Sequence, residues 1–245
     1  MFSAVTYSNA IYAIGGFDQS WDACDSVSRF DGTNWTEGAA LPMPQYALGG
    51  AVWEDAIYVA GSDATNVLRY NGASWTEVAG LPSAPYAPLV AVFSNQLHVV
   101  SGNAYTNCFL YDGHSWIEEA GLPDNSILIG AAGGALGPYL FAAGGSGGSG
   151  TDTNNYRFDG TAWTCAAGLP QARSYMGTAV WQDRIYAIGG YDLNYSTATN
   201  VFCFDGTTWA EFAGLPVDVM GCGAAALNGE LYCLGGYSSS MGILS

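Results

Sequence analysis

Five tryptophans recur along the chain at Trp35, Trp75, Trp116, Trp163 and Trp209, separated by 40, 41, 47 and 46 residues. Each stands five residues after an aromatic residue (Phe30, Tyr70, Tyr111, Phe158, Phe204), and a turn fills the gap: FDGTNW, YNGASW, YDGHSW, FDGTAW and FDGTTW. Leu-Pro follows each at 41–42, 81–82, 122–123, 169–170 and 215–216. A second element occurs six times, a short apolar run closing on small residues: IYAIGG (11–16), IYVAGS (57–62), LHVVSG (97–102), LFAAGG (140–145), IYAIGG (185–190) and LYCLGG (231–236). A fixed period of this length means one supersecondary unit repeated. The runs are short, rich in β-branched and aromatic residues, and bounded by Gly, Asn and Asp, so they read as strands. Asn228-Gly229 is a hairpin turn signal. Each period then holds four strands, and one such sheet cannot bury both faces alone. Radial stacking of successive sheets solves that problem and predicts an all-β propeller.

The small-residue pair after the second strand, the aromatic before the turn, the Trp-led fourth strand and the Leu-Pro after it resemble kelch repeats. The resemblance implies a kelch-type β-propeller in one domain, 1–245. It has five complete four-stranded blades (1–42, 43–82, 83–123, 124–170, 171–216) and a partial sixth (217–245), expected to belong to a longer protein. There are departures. Gly61-Ser62 and Ser101-Gly102 replace the glycine pair. His98 and Phe141 stand where Tyr12, Tyr58, Tyr186 and Tyr232 stand elsewhere. The five repeated tryptophans are expected between blades, equally packed.

The chain carries 21 acidic residues against 5 arginines and no lysine, a net charge of −16. Phosphate neutralisation needs clustered cations, so nucleic acid is excluded as a partner, and anionic membrane surfaces are disfavoured. No apolar run reaches the ~20 residues of a spanning helix, and the opening residues lack the basic region of a signal peptide. Six cysteines (24, 108, 165, 203, 222, 233) show no zinc spacing, and four lie in apolar stretches as expected core residues. The reading leans to a reducing, cytoplasmic compartment.

The topology puts the first-to-second and third-to-fourth strand turns on one face, short and uniform. The second-to-third (b–c) and blade-to-blade (d–a) loops share the other face, and these vary, as recognition loops do. That face is expected to gather Phe17, Trp21, Tyr46, Tyr86, Tyr105, Tyr175, Tyr191 and Tyr195, amphipathic anchors suited to a protein or glycan partner that is neutral or basic. Arg173 stands in a d–a loop and could grip a carboxylate or serve the fold. Asp18, Asp22 and Asp25 do not have EF-hand spacing and read as a solvated loop, with calcium as the alternative, and 146–154 reads as flexible, with order around an ion as its alternative. His98 reads as core and His114 as exposed, so no copper or zinc constellation like that of galactose oxidase forms, and no cofactor is expected. Kelch adaptors of ubiquitin ligases carry a BTB domain, which these residues do not include. The reading is a binding module. The alternative is a carbohydrate-active propeller similar to sialic-acid mutarotases, with Arg173 holding the sugar acid.

Overall fold

The computed structural model describes residues 1–244 except 101, 103–105, 124–125, 127 and 148–149. Blade one is β1 (Ser3–Tyr7), β2 (Ala10–Ile14), β3 (Val27–Phe30) and β4 (Trp35–Glu37). Blade two is β5 (Leu48–Trp53), β6 (Ala56–Gly61), β7 (Val67–Tyr70) and β8 (Trp75–Val78). Blade three is β9 (Leu89–Phe93), β10 (Gln96–Val100), β11 (Cys108–Tyr111) and β12 (Trp116–Glu119). Blade four is β13 (Ala132–Leu136), β14 (Tyr139–Ala143), β17 (Asn155–Phe158) and β18 (Trp163–Cys165), with a small hairpin, β15 (Ser146–Gly147) and β16 (Gly150–Thr151), in its b–c loop. Blade five is β19 (Gly177–Trp181), β20 (Arg184–Ile188), β21 (Val201–Phe204) and β22 (Trp209–Phe212). Two two-stranded sheets follow: β23 (Gly223–Leu227) with β24 (Glu230–Leu234), and β25 (Gly236–Ser238) with β26 (Gly242–Leu244). Each blade is an antiparallel meander, so the molecule is an all-β propeller of five four-stranded blades. The first strands line the axis in the order β1, β5, β9, β13, β19, with β23 packed between β19 and β1.

The repeat pattern sets one register in every blade. The third-strand aromatic pairs with an aliphatic residue of the second strand: Phe30 with Ile11, Tyr70 with Ile57, Tyr111 with Leu97, Phe158 with Leu140 and Phe204 with Ile185. The same aromatic contacts the repeated tryptophan in all five blades at ring separations of 4.9–5.1 Å. The inner hairpin turns Glu54-Asp55, Ser94-Asn95 and Gln182-Asp183 hold positive φ at both residues. That is the primed-turn geometry that matches strand twist.

The outer turns of blades one, three, four and five are held by one carboxylate each. Asp31 accepts N–H bonds from Thr33 and Asn34 (2.9 and 2.8 Å), and Asp112, Asp159 and Asp205 repeat the arrangement. Backbone N–H donation holds Asp31, Asp112 and Asp205 below the usual carboxylate range, and the Thr161 hydroxyl leads in bringing Asp159 down to about 2. In blade two Asn71 makes the same bonds without a charge. A depressed folded-state pKa stabilises above the unfolded value near ~3.9 and is lost as pH falls through the folded one. The quadruple variant Asp31→Asn, Asp112→Asn, Asp159→Asn, Asp205→Asn is therefore expected to flatten the loss of stability between about pH 4 and 2. Urea midpoints across that range check this.

Packing of the five tryptophans corrects the expectation of equality. Trp75 and Trp163 are 9% and 7% exposed, Trp116 and Trp209 are half-buried, and Trp35 is 49% exposed. The cause is the neighbouring blade. Trp75, Trp116 and Trp209 donate their indole N–H to the carbonyls of Ala39, Ala79 and Ala167, just beyond the fourth strand of the preceding blade. Trp35 faces β23–β24, a sheet with no third or fourth strand among the described residues. Cys165 is likewise exposed, not core, because it lies on the outermost strand of blade four. Of the segment expected to be flexible, 146–154, residues 148–149 lie outside those described, and Ser146 bridges Ile129.

Candidate functional site

The chain turns left-handed where each blade hands over to the next. Ala47, Ala87, Gly130 and Gly221 have φ between 48° and 66°, and Tyr175 occupies the same position with φ 54°. A bulky residue there carries strain that glycine would not. It places a phenol at the mouth of the axial channel. In blade two, Ser62 replaces the second glycine of the pair. Its hydroxyl accepts from the Tyr46 N–H at 2.6 Å and donates to the Tyr46 carbonyl at 2.7 Å, fixing the next aromatic of the mouth. In blade five the second glycine is kept, because a Cβ on Gly190 would stand 2.6 Å from the Ser174 carbonyl oxygen. Ser62→Gly is expected to cost about 1 kcal/mol, the worth of hydrogen bonds lost, and to raise amide exchange at Tyr46, measured by NMR.

The b–c loops of blades one and five are the same structure from different residues. In Phe17-Asp18-Gln19-Ser20-Trp21, the Asp18 carboxylate accepts from the N–H groups of Ser20 and Asp22 at 2.7 and 3.0 Å. In Tyr191-Asp192-Leu193-Asn194-Tyr195, Asp192 accepts from Asn194 and Ser196 at 2.8 and 3.0 Å. The tips, Trp21 (φ 64°, 53% exposed) and Tyr195 (φ 57°, 78% exposed), stand out into solvent. The acidic loop residue Asp18 thus serves its own turn. The loop carried by β25–β26 is of related build, with Ser238 accepting from the N–H groups of Ser240 and Met241 and with Met241 exposed at the tip.

These loops join their aromatics into one arc around the axis. Neighbouring ring centroids run Tyr195–Tyr191 (5.3 Å), Tyr191–Tyr175 (5.3 Å, stacked), Tyr175–Tyr86 (6.3 Å), Tyr86–Tyr46 (6.1 Å), Tyr46–Phe17 (4.6 Å), Phe17–Trp21 (5.9 Å) and Trp21–Tyr237 (5.4 Å). Asp218 ties the loop that carries Tyr195 to the segment that follows Tyr237. Its carboxylate accepts from the Thr197 hydroxyl, from the hydroxyls of Ser238 and Ser240 (2.9 and 3.0 Å), and from the Ser239 N–H and hydroxyl (both 2.9 Å). Those donors, Thr197 first, hold it far below the usual carboxylate range. Inside the arc lies a pocket of about 240 Å³ lined by Phe17, Trp21, Tyr86, Tyr175, Tyr237 and Ile243 among others. Burial, with Tyr86 beside it, pushes the Tyr175 phenol up, so it remains a neutral donor at physiological pH. The opposite end of the axis has a larger cavity, about 460 Å³, but its lining is Ala, Gly, Val and Leu with the hydroxyls of Thr6 and Thr178.

Of the residues singled out in the sequence, Trp21, Tyr46, Tyr86, Tyr175, Tyr191 and Tyr195 lie in the arc. Tyr105 lies outside the described residues. Arg173 does not face the mouth: it is 7% exposed, and its guanidinium donates to Ala172 O, Gln171 Oε1 and Asn200 Oδ1. Of the two roles left open for it, these bonds serve the fold, tying its d–a loop to Asn200. Arg69 and Arg157 lie on blade aromatics, Arg69 bonded to the Tyr58 hydroxyl and Arg157 over the Tyr139 ring at 5.0 Å. His98 is buried, with Nδ1 2.7 Å from Glu119 Oε2. Tyr237 was missed in the sequence. Its signal was the alignment of GGF (15–17), GGY (189–191) and GGY (235–237).

Among solved structures, the chain is similar to one titled "Structure of YjhT", with a TM-score of 0.83 and 16% identity, covering 100% of this chain and 93% of that one. At that identity the likeness shows the fold alone. The search of curated proteins returns no match. Residues 1–227 match the family described as DUF6242 beta propeller domain, and the chain belongs to that family.

Proposed function

We propose that this propeller is a binding module of kelch type, taking a neutral or cationic partner, a protein segment or a glycan, at the aromatic mouth. We read β23–β24 as the inner half of a sixth blade. The observation that carries the proposal is the unbroken arc of eight rings around one pocket, built from loops of five separate sheets. Aromatic faces offer large contact area at small entropic cost, and their hydroxyls give direction. The net charge of −16 favours cationic over anionic ligands, with an association that weakens in salt. Both terminal nitrogens of Arg173 are hydrogen-bonded within the protein, which is less favourable to the mutarotase reading.

Titrations with neutral oligosaccharides, sialic acid and a Lys/Arg-rich peptide, followed by intrinsic fluorescence, test the proposal. A neutral or cationic ligand should bind, Tyr86→Ala should weaken it, and Asp31→Asn or Asp205→Asn on the opposite face should leave it intact. Binding that ignores the mouth variants and fails on altering the outer turns would place the site on the other face. Turnover of sialic acid would establish the enzymatic alternative.

A further inference from the structure

The five rings that line the mouth pocket are Phe17, Trp21, Tyr86, Tyr175 and Tyr237. They are steeply inclined to neighbours in the arc: 65° for Tyr175 with Tyr86, 53° for Phe17 with Trp21 and 51° for Trp21 with Tyr237. Rings at such angles form walls around a space, whereas Tyr191, outside the pocket, lies nearly flat on Tyr175 at 23°. The volume of about 240 Å³ is below the ~300–1,000 Å³ of a drug-sized site, so the pocket takes a small group. Apart from the phenols and the Trp21 indole, the side chains of its lining are apolar, Phe2, Met220, Ile243 and Leu244 among them. Among the described residues no amide, carboxylate, guanidinium or imidazole lines it. The backbone adds little, because the N–H groups of Ala47, Met220, Gly221 and Tyr237 all donate to carbonyls within the protein.

Sugar hydroxyls, primary ammonium groups and guanidinium groups each need several hydrogen-bond partners once they leave water, and this lining supplies few. An anion meets a chain of net charge −16, with Asp18, Asp192 and Asp218 in the surrounding loops. No arginine offsets them: Arg29, Arg69, Arg157 and Arg184 stand in strands beside the turns of the opposite face, and Arg173 is bonded between loops. Burial brings the Met1 amine, which also borders the pocket, down to about 6, so it adds little positive charge at neutral pH. We infer that the pocket is a binding site for a quaternary ammonium cation, a small molecule of choline type whose trimethylammonium head enters among the five rings. The inference rests on the mouth reading above and narrows its ligand. A quaternary head has no N–H to satisfy, and its charge is spread over methyl groups that pack on ring faces, where the ring quadrupole attracts it. The tail is neutral, because a phosphate or carboxylate there would be repelled by the same loop carboxylates.

Calorimetric titration of the full chain compares choline with two analogues. Dimethylbutanol carries tert-butyl in place of trimethylammonium and so keeps the shape without the charge, and ethanolamine keeps the charge but adds N–H groups. Choline should bind at least about tenfold more tightly than either. Tyr86→Leu and Trp21→Leu keep apolar volume but remove a π face, and each should narrow the preference of choline over dimethylbutanol, whereas Tyr86→Phe should keep it. Equal binding of choline and dimethylbutanol would overturn the inference and leave a merely apolar mouth. Absence of choline binding, beside Tyr86-dependent binding of an oligosaccharide or a Lys/Arg-rich peptide, would overturn it while the mouth reading stands. If nothing binds at the mouth, both fall. A trimethyllysine peptide that binds at least about tenfold more tightly than choline, or phosphatidylcholine vesicles that bind where free choline does not, would overturn the small-molecule source.

Discussion

Trp75→Ala is expected to destabilise the protein by about 3–5 kcal/mol, while Trp35→Ala, the same substitution at the same repeat position, costs about 1 kcal/mol or less. Trp75 is buried between blades one and two, touches a cluster that includes Tyr12, Leu48, Leu68 and Tyr70, and bonds Ala39 O at 2.8 Å. Its removal leaves a cavity and an unpaired carbonyl. Trp35 has half its surface in water and loses chiefly the stacking on Phe30. Urea unfolding of the two variants side by side measures the difference. Equal losses would mean that Trp35 is covered in solution.

Removing the mouth aromatics is expected to act on binding far more than on folding. Tyr86→Ala and Tyr175→Ala should each weaken the ligand by about 1–2 kcal/mol, roughly 5–30-fold in Kd. The fold tolerates the second change because the equivalent positions are Ala47, Ala87, Gly130 and Gly221. Tyr175 is the central member of the arc, with Tyr86 on one side and Tyr191 stacked at 5.3 Å on the other. The double variant should lose more or less than the sum, since the two rings touch and share one pocket. Calorimetric titration of wild type, single and double variants measures this, and thermal melts confirm that the scaffold stands.

The strand order, register and turn positions were legible in the sequence because they are local. Each blade repeats an aliphatic run, an aromatic, a turn residue and a tryptophan at constant spacing, and antiparallel pairing of neighbours converts that spacing directly into a meander. The d–a position of Tyr46 and Tyr86 and the b–c position of Trp21 and Tyr195 were readable for the same reason. Tertiary structure decided what lies across a blade boundary. Whether a tryptophan is buried depends on the sheet beside it, which is why Trp35 and Trp75 part company despite holding the same position in the repeat. Arg173 looked like a free cation until Gln171 and Asn200, the latter 27 residues away, took its hydrogen bonds. Tyr237 joined the mouth only because radial stacking brings the loop after β24 beside Trp21, more than two hundred residues earlier. A repeat encodes the contacts inside its own unit. The order in which units stack around an axis, and which of their edges meet, sets the surface that a ligand reads.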